Sequence, residues 1–188
     1  MVFPRRSQER RGAIRLCPFR RDRFPFSVIR PAAVYAQESP LVEGIVTWAK
    51  KHRILGYPVL GAGNNRMHFC HVEDMVQALA LAGEKEAAVG RAYVIVDDMP
   101  VSWNAFLEVV TQVFEVELCA WHIPVLPVKC LASIVEWVSR AARNPVPARL
   151  LVDVFSGDFC FSNRKAKQEI GFSPRYPTPF EGLRDNIL

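Results

Sequence analysis

From residue 26 onward the chain alternates short apolar runs with longer amphipathic runs, and this alternation limits the possible folds more than any other feature. The short runs are rich in β-branched and aromatic residues, as expected of strands, and they occupy positions 26–31, 57–60, 67–72 and 92–96. The longer runs have the 3.6-residue spacing of helices. Alternating strands and helices predict an α/β protein. With 188 residues, 50% of them hydrophobic, the chain can bury one full core.

Three amphipathic helices are predicted in the first two thirds of the chain, over residues 41–53, 72–83 and 102–114. The faces expected to be buried are Leu41, Ile45, Trp48 and Ala49 in the first, Val72, Met75, Val76, Leu79 and Gly83 in the second, and Trp103, Phe106, Leu107, Val110 and Phe114 in the third. Ser102 is placed to cap the third helix.

A fourth helix, predicted over residues 128–142, is apolar around most of its circumference. Its polar residues form one narrow stripe of Lys129, Ser133, Glu136 and Arg140. Such a helix either packs deeply in the core, which is the preferred interpretation, or lies against a membrane surface. It does not qualify as a membrane span, because its charges interrupt a stretch that would need about 20 apolar residues.

The remaining predicted elements lie on both sides of this helix in sequence and continue to the C-terminal region. Strands are predicted over 117–122 and 158–162, and a helix over 163–170 is expected to stop at Gly171. A last helix is expected near Phe180.

The net charge of +5 belongs to the first 25 residues, which contain eight arginines but only Glu9 and Asp22 as acids. The rest of the chain has 16 basic and 17 acidic residues, which argues against a nucleic-acid partner. We therefore predict that residues 1–25 form a poorly ordered leader and that residues 26–188 form the globular part. The leader lacks the apolar stretch of a secretory signal, and five widely spaced cysteines suggest no disulfide framework, so a cytoplasmic location is expected.

The loop GAGNNR at 61–66 is similar to the dinucleotide fingerprint G-x-G-x-x-G, but two features argue against nucleotide binding. Arg66 stands at the third glycine, and a strand instead of a helix follows. Asp97 and Asp98 could form a pair of catalytic carboxylates, but a solvated turn after a strand is the preferred interpretation.

Three neighbouring residues, His68, Cys70 and His71, could be metal ligands. Alternation along a strand places His71 on the opposite face from the other two, so the three cannot converge on one ion. We expect a buried Cys70, with the histidines at a surface or pocket. The sequence contains no G-x-S-x-G motif and no supported Cys–His pair, so a serine or cysteine hydrolase is not predicted.

Four blocks, in this order, resemble the C-terminal half of an extended short-chain dehydrogenase/reductase. They are VIRPAAVY at 28–35, LGAGNNRMHFCHVEDMVQALALA at 60–82, GRAYVIVDDMPVSW at 90–103 and FSNRKAKQEIGFSPRY at 161–176. Within this superfamily the chain is similar to the 3β-hydroxysteroid dehydrogenase/isomerase type and to the NAD-dependent epimerase/dehydratases. The resemblance implies the last sheet strands and the small substrate-binding lobe of a Rossmann-type fold, without its first, nucleotide-binding half.

The resemblance also implies two groups of site residues. The cofactor-side group would lie beside the nicotinamide of NAD or NADP and consists of Pro31, Ala32, Val34 and Tyr35; Ala36 stands where the family has a glycine. The substrate-side group would line the substrate pocket and consists of Asn65, Arg66, His68 and Phe69. A cationic Arg66 there would suit an anionic group on a small-molecule substrate.

The motifs that carry the family's chemistry are missing from these 188 residues. They contain neither G-x-x-G-x-x-G nor Tyr-x-x-x-Lys, in which lysine lowers the pKa of the tyrosine that exchanges a proton with the substrate alcohol. No catalytic residue is therefore predicted. The expected function is the substrate-binding part of a truncated NAD(P)-dependent oxidoreductase or isomerase for a sterol-like or nucleotide-sugar alcohol, inactive and without tight cofactor binding by itself.

An alternative is a non-catalytic interaction or regulatory protein built on a decayed reductase fold. In either case the strand at 26–30 would lack the parallel neighbours that it has in the family. An open strand edge of this kind predicts self-association.

Overall fold

The computed structural model describes residues 25–52, 56–141 and 146–185. Within them the strands are β1 (Val28–Pro31), β2 (Ala33–Tyr35), β3 (Tyr57–Leu60), β4 (Arg66–Met67), β5 (Phe69–His71), β6 (Ala92–Ile95), β7 (Val101–Ser102) and β8 (Ala120–Ile123). The helices are α1 (Pro40–Lys51), α2 (Val72–Glu84), α3 (Trp103–Val113), α4 (Val125–Ala141), α5 (Ala148–Ser156), α6 (Arg164–Ile170) and α7 (Pro179–Arg184), with a 3₁₀ turn at Glu86–Ala88. The predicted leader, except its last residue, and the predicted helix ends at 53 and 142 lie outside the described residues.

Strand pairing is mainly parallel in this part of the chain. β1 pairs with β6, β2 with β5 and β3 with β8, all in parallel, whereas β4 and β7 form an antiparallel pair. Parallel neighbours need a crossover connection, and helices lie between the partners in sequence. The predicted α/β class is therefore confirmed. Among the described residues β6 is the one strand paired with β1, so the other edge of β1 is open there.

Helices α1 and α3 each begin at a serine that caps the first turn. The Oγ of Ser39 accepts the N–H of Val42 at 3.4 Å, and the Oγ of Ser102 accepts the N–H of Ala105 at 3.1 Å. Such caps satisfy N–H groups that have no partner inside the helix. The predicted cap at Ser102 is confirmed.

The buried face of α1 differs from the prediction, whereas that of α3 largely agrees with it. In α1 the buried residues are Val42, Ile45, Val46 and Ala49. Trp48 lies at the rim, where its Nε1 donates to the Gly56 carbonyl at 2.8 Å. In α3 the buried residues are Trp103, Phe106, Leu107, Val109 and Val110.

The described residues bury two apolar clusters. The larger contains aromatic residues of β2, β5 and α3, with Tyr35, Phe69 and Phe106 fully buried, and α1 and α7 cover it. The smaller lies between α2, α6 and β6, around Tyr93 and Ile170. The larger cluster lies directly beneath the segments that carry the predicted site residues.

Helix α2 turns its small residues inward, so its predicted buried face is wrong. Asp74, Ala78 and Ala82 are buried, whereas Val76 and Leu79 are exposed. The two alanines belong to the smaller apolar cluster, where their short side chains let the helix approach β6 and α6 closely.

Helix α4 is not packed deeply, and the preferred interpretation from the sequence is wrong here. Its first turn begins at Val125, and α5 packs against it. Among the α4 side chains that the structure describes, Ala132 alone is buried, and Leu126 and Trp137 are 78% and 72% exposed.

The C-terminal elements follow the prediction in part. Helix α6 ends at Gly171, whose φ of +72° favours glycine, as predicted. The predicted strand at 158–162 is reduced to an isolated bridge between Phe159 and Met67. None of the helices in the described ranges is long and apolar enough to cross a membrane.

Candidate functional site

The pairing of β2 with β5 brings the two groups of predicted site residues together. Val34 lies opposite Cys70 in parallel register, and Tyr35 lies opposite His71. The cofactor-side group therefore runs beside the strand that begins at Phe69 of the substrate-side group. We define this neighbourhood as the candidate site.

The accessible part of the cofactor-side group is a bend between β1 and β2. Pro31, Ala32 and Val34 are half-buried there. The N–H of Ala32 donates to the Ile95 carbonyl at 3.1 Å, which holds the bend against the end of β6. The bend thus lies at the carboxyl end of a parallel strand pair, the position where α/β proteins bind ligands.

Tyr35, in contrast, is a core residue. It is fully buried, and its ring makes edge contacts with Phe69, His71 and Phe106 at centroid distances of 6.1, 5.1 and 6.3 Å. Its hydroxyl donates to the Thr178 carbonyl at 3.4 Å, and burial raises its pKa far above the usual range. A phenol held in this way supports the site by packing and is a poor proton donor.

Asn65 and Arg66 form the outer part of the substrate-side group. The side-chain amide of Asn65 donates to the Gly157 carbonyl at 3.4 Å, and its Oδ1 is buried without a partner among the described residues. The backbone N–H of Arg66 donates to Oδ1 of Asp158 at 2.8 Å, which fixes its position while its side chain remains exposed.

His68 and Phe69 form the inner part of this group. The Nδ1 of His68 accepts the N–H of Phe161 at 3.1 Å. Burial, with a further contribution from Arg66, lowers the pKa of His68, so the ring is neutral at pH 7. Phe69 is fully buried and stacks on Phe106 with ring centroids 4.2 Å apart.

Hydrogen bonds from Asn104 hold the GAGNNR loop against α3, and the loop does not form a phosphate-binding site. The Nδ2 of Asn104 donates to the Ala62 carbonyl at 2.9 Å, and the N–H of Asn104 donates to the Gly63 carbonyl at 3.0 Å. Gly63 has a φ of +67°, and the Asn104 side chain fills the space where a Cβ would lie. The loop then leads into β4, so the helix N-terminus that would bind a pyrophosphate does not follow it.

Two polar residues after β5 hold the C-terminal segment against the candidate site. The Nδ1 of His71 accepts the N–H of Glu73 at 3.3 Å and so caps α2. Asp74 accepts the N–H groups of Arg175 and Tyr176 at 2.6 and 3.4 Å. Burial lowers the pKa of His71 and raises that of Asp74.

The expectation that both histidines lie at a surface or pocket is wrong, because His68 is only 7% exposed and His71 is fully buried. The expectation of a buried Cys70 is confirmed, and burial raises the pKa of its thiol to about 12. No group of three or more His, Cys, Asp or Glu side chains in the described ranges could hold a metal ion.

Asp97 is a buried residue that the sequence interpretation missed. It is 2% exposed, and its Oδ1 accepts the N–H of Phe69 at 3.1 Å, while its own N–H donates to the Phe69 carbonyl at 2.9 Å. The prediction that Asp97 lies in a solvated turn is therefore wrong. Asp98 does reach the surface, where it pairs with Lys167. The position of Asp97 directly after a parallel strand was the one available signal.

The candidate site therefore provides side chains that could line a ligand and one exposed cationic group, that of Arg66, but few reactive groups. The bend at Pro31–Val34 could contact one side of a nicotinamide, but the described residues contain no glycine-rich helix start for its pyrophosphate. They thus fit the edge of a dinucleotide site and do not form a complete one.

Comparisons with known proteins agree with this description. Residues 16–95 match the model of the NAD dependent epimerase/dehydratase family. The match begins inside the segment predicted as a leader, so the boundary at residue 26 remains a prediction. The chain is 28% identical over 173 residues to the 3beta-hydroxysteroid-dehydrogenase/decarboxylase isoform 1 of Arabidopsis thaliana, covering 85% of this chain and 39% of that protein.

Another relative is the short-chain dehydrogenase/reductase family 42E member 1 of Mus musculus, 29% identical over 165 residues, with 81% of this chain and 41% of that protein covered. The sterol-4-alpha-carboxylate 3-dehydrogenase, decarboxylating, of the same species is 27% identical over 164 residues, with 80% of this chain and 44% of that protein covered. The chain therefore spans about two fifths of the length of these relatives.

Solved structures show the same fold. The epimerase Mth375 of Methanothermobacter thermautotrophicus superimposes with a TM-score of 0.62 at 17% identity, covering 85% of this chain and 41% of that one. The UDP-glucuronic acid 4-epimerase of Bacillus cereus, in complex with UDP-glucuronic acid and NAD, gives 0.58 at 12% identity, covering 85% and 43%.

These findings define the class first: an α/β, Rossmann-like protein with the fold of the C-terminal region of extended short-chain dehydrogenase/reductases. Within that class, the chain is similar to the NAD-dependent epimerase/dehydratases over residues 16–95 and to proteins of the 3β-hydroxysteroid dehydrogenase type over most of its length. The resemblance predicted from the four sequence blocks is confirmed.

Proposed function

We propose that this chain forms the substrate-side part of an NAD(P)-dependent oxidoreductase or isomerase that acts on a sterol-like or nucleotide-sugar alcohol. One observation carries the proposal: β2 and β5 lie side by side, so the bend at Pro31–Val34 and the segment at Asn65–Phe69 belong to one site. The names of several relatives refer to sterol substrates, which supports a role in steroid biosynthesis.

Arg66 is the residue that we propose for direct substrate contact. Its side chain is exposed beside a group of otherwise buried residues, and its backbone is held by Asp158. A guanidinium in this position suits a carboxylate or phosphate, because it can donate two parallel hydrogen bonds. Both a sterol carboxylate and a nucleotide sugar carry such a group.

We further propose that the 188-residue chain alone neither binds NAD(P) tightly nor turns over substrate. Pyrophosphate affinity in this type of fold comes from a glycine loop at a helix N-terminus, and proton transfer comes from a tyrosine held near a lysine. Neither motif occurs in the sequence. Tyr35 cannot replace that tyrosine, because it is buried and donates to a backbone carbonyl.

Titration of the full chain with NADH and NADPH, followed by fluorescence, tests the cofactor part of the proposal. We expect no saturation at micromolar concentrations, and we expect no turnover in a dehydrogenase assay on sterols and nucleotide sugars. Micromolar binding of either cofactor, or measurable turnover, would show that this chain contains a nucleotide site that the proposal omits.

The substrate part is tested with UDP-glucuronic acid and a sterol carboxylate as ligands. We expect Arg66→Ala to weaken binding of the preferred ligand about tenfold, because a charge-assisted contact is lost. Arg164→Ala is the matched control, since Arg164 is also exposed but lies on α6. Equal effects of the two variants, or no binding of either ligand by the parent chain, would favour the non-catalytic interaction protein.

A further inference from the structure

Helix α2 has an apolar stripe that faces away from the core. Four of its members follow one another at intervals of 4, 3 and 4 residues, which is the spacing of the contact positions in paired helices. The stripe consists of Val72, Val76, Leu79, Ala80 and Gly83, all exposed. With 3.6 residues per turn, these residues span an arc of about 100° that contains no charged residue. An exposed apolar surface of this kind indicates a contact with another molecule.

The stripe includes the flank of α2 that faces the open edge of β1. Helix α2 packs against both β1 and β6, and α6 packs against α2 and β6. Asp74 accepts backbone N–H groups of the segment that follows α6, so Asp74 marks the flank on the α6 side. Val72 and Leu79 lie about 140–160° around the helix from Asp74. They are therefore on the opposite flank, beside the edge of β1 that has no partner strand among the described residues.

The open edge of β1 presents backbone groups that an antiparallel strand can bind. The N–H groups of Val28 and Ala32 donate to backbone carbonyls on the β6 side. Because the polar groups of successive residues alternate between the two edges of a strand, those of Ile29 and the Pro31 carbonyl face the open edge. Two copies of β1 related by a two-fold axis at Ile29 can therefore exchange hydrogen bonds, with the N–H of Ser27 opposite the partner's Pro31 carbonyl.

We propose that a second copy of this chain covers both features, with β1 antiparallel to the partner's β1 and α2 antiparallel to the partner's α2 across one two-fold axis. The dimensions of strands and helices agree with this arrangement. Neighbouring strands lie about 4.8 Å apart, so the middle of the β1–β6 pair, over which α2 packs, is about 4.8 Å from the axis. The two copies of α2 are then about 9.6 Å apart, within the range of roughly 8–10 Å for packed helices.

The stripe is complementary to itself in the antiparallel direction. When Val76 lies opposite the partner's Leu79, Val72 lies opposite the partner's Gly83, because both pairs are centred on the same point of the helix. No atom lies within 4 Å of the place where a Cβ of Gly83 would be, so this position offers a notch for a valine. Glu73, beside the stripe, would lie opposite alanines of the partner and so meet no like charge. A face that fits itself in this way favours a second copy over an unrelated partner.

The first 25 residues of the chain suit this surface less well than a second copy does. They contain eight arginines, and an uncharged stripe offers these no partner. They also contain Pro4, Pro18 and Pro25, and proline lacks the N–H that helices and sheet ladders need. A two-fold interface uses each open edge of β1 once, so association through this surface stops at the dimer.

Sedimentation velocity of the full chain at about 1–100 μM tests the proposal, and we expect a dimer. Val76→Glu with Leu79→Glu places two charges in the centre of the stripe. This double variant should raise the dissociation constant of the dimer at least about tenfold, because unpaired charges do not enter an apolar interface. Leu131→Glu with Ile134→Glu is the matched control, since these residues are similarly exposed but lie on α4. It should leave the dissociation constant unchanged.

A second pair of variants, Gly83→Leu and Gly44→Leu, tests the notch without disturbing the folded monomer. Both glycines lie in helices with no atom within 4 Å of the Cβ position, and leucine favours a helix more than glycine does. Gly83→Leu should raise the dissociation constant about tenfold, because the new side chain occupies the space of the partner's Val72. Gly44→Leu, on α1, should not change it. Circular dichroism would establish that all variants remain folded.

The outcomes separate the surface of α2 and β1 from other modes of association. A dimer that both α2 changes weaken, and that neither control weakens, supports the proposal. If the parent chain remains monomeric at about 100 μM, the proposal is wrong. It is equally wrong if the α4 variant dissociates the dimer while the α2 double variant retains it, or if Gly83→Leu and Gly44→Leu give the same dissociation constant.

Discussion

Replacing Asp97 with asparagine should stabilise the protein above neutral pH. The carboxyl group is buried, its Oδ1 accepts the N–H of Phe69, and its Oδ2 has no partner among the described residues. Burial, with smaller contributions from the charges of Asp98 and Asp74, raises the pKa of Asp97 from 3.8 to about 8. Asparagine has nearly the same shape, keeps an acceptor for Phe69 and carries no charge.

The magnitude follows from proton binding in the two states. Between pH 4 and 8 the folded protein holds a proton on Asp97, whereas the unfolded chain has released it. The free energy of unfolding therefore falls by about 1.4 kcal/mol for each pH unit between the two pKa values, 3.8 in the unfolded chain and about 8 in the folded protein. The pKa of about 8 corresponds to a loss of roughly 5 kcal/mol at pH 8. The whole stability of a domain is about 5–15 kcal/mol, so the effect is large.

Urea unfolding followed by circular dichroism at pH 5.0, 6.5 and 8.0 measures this effect. Burial lowers the pKa values of His68 and His71, so both histidines make the protein more stable as the pH rises through about 6.5. The parent and the variant share these histidines, so the difference between their free energies of unfolding reports Asp97. We expect Asp97→Asn to exceed the parent by about 1.6 kcal/mol at pH 5 and by roughly 5 kcal/mol at pH 8.

Asp98→Asn is the matched control for this prediction. Partial burial acts to raise the pKa of Asp98, but hydrogen bonds from Lys167 and Asn163 outweigh it and lower that pKa. The variant should therefore lose a little stability at neutral pH and show no gain at pH 8. An Asp97→Asn variant that differs from the parent by the same amount at pH 5 and 8, or that is less stable than the parent at pH 8, would refute the reasoning.

Three further predictions concern the framework of the candidate site. Ser102→Ala should lower the free energy of unfolding by about 1 kcal/mol, measured in urea, because the first turn of α3 loses its cap. Gly182→Ala should cost about 1–3 kcal/mol, since a Cβ there would meet the Tyr35 hydroxyl and lie 3.0 Å from the His71 ring, whereas Gly44→Ala, with nothing within 4 Å, should add about 0.5–1 kcal/mol. The open edge of β1 should cause self-association at micromolar concentrations, and a monodisperse monomer in sedimentation velocity would count against it.

The sequence was sufficient for the elements whose local signals and tertiary packing agree. The strand at Tyr57–Leu60 and the Ser102 cap of α3 were predicted in place, because β-branched runs and capping serines act over a few residues. The family resemblance gave the two groups of site residues at Pro31–Val34 and Asn65–Phe69. That they lie side by side was not predicted and could not be obtained from spacing, since parallel pairing joins distant segments.

The predicted buried faces of α2 and α4 are wrong because the structure leaves their large apolar residues exposed. Both α2 and α4 carry a second stripe beside the large apolar residues, alanines in one helix and polar residues in the other. The structure buries the alanines of α2, and it turns the polar stripe of α4 toward α5, where the partly exposed Lys129 pairs with Asp153. Periodicity reports that a helix has two sides but does not identify the buried one when a small-residue stripe competes. Asp97 was missed for a related reason, because an aspartate after a strand is equally typical of a turn.

The central claim is that β2 and β5 hold the two groups of site residues side by side, and a disulfide across the pair tests it most directly. Val34 is in register with Cys70, and parallel neighbours lie about 4.8 Å apart, within the range that a disulfide spans. After refolding under oxidising conditions, which expose the otherwise buried Cys70 to reaction, mass spectrometry of Val34→Cys should show a bond between positions 34 and 70. Ala33→Cys, whose side chain points to the opposite face, should not form that bond. Absence of the 34–70 bond, or its equal formation from position 33, would contradict the claim.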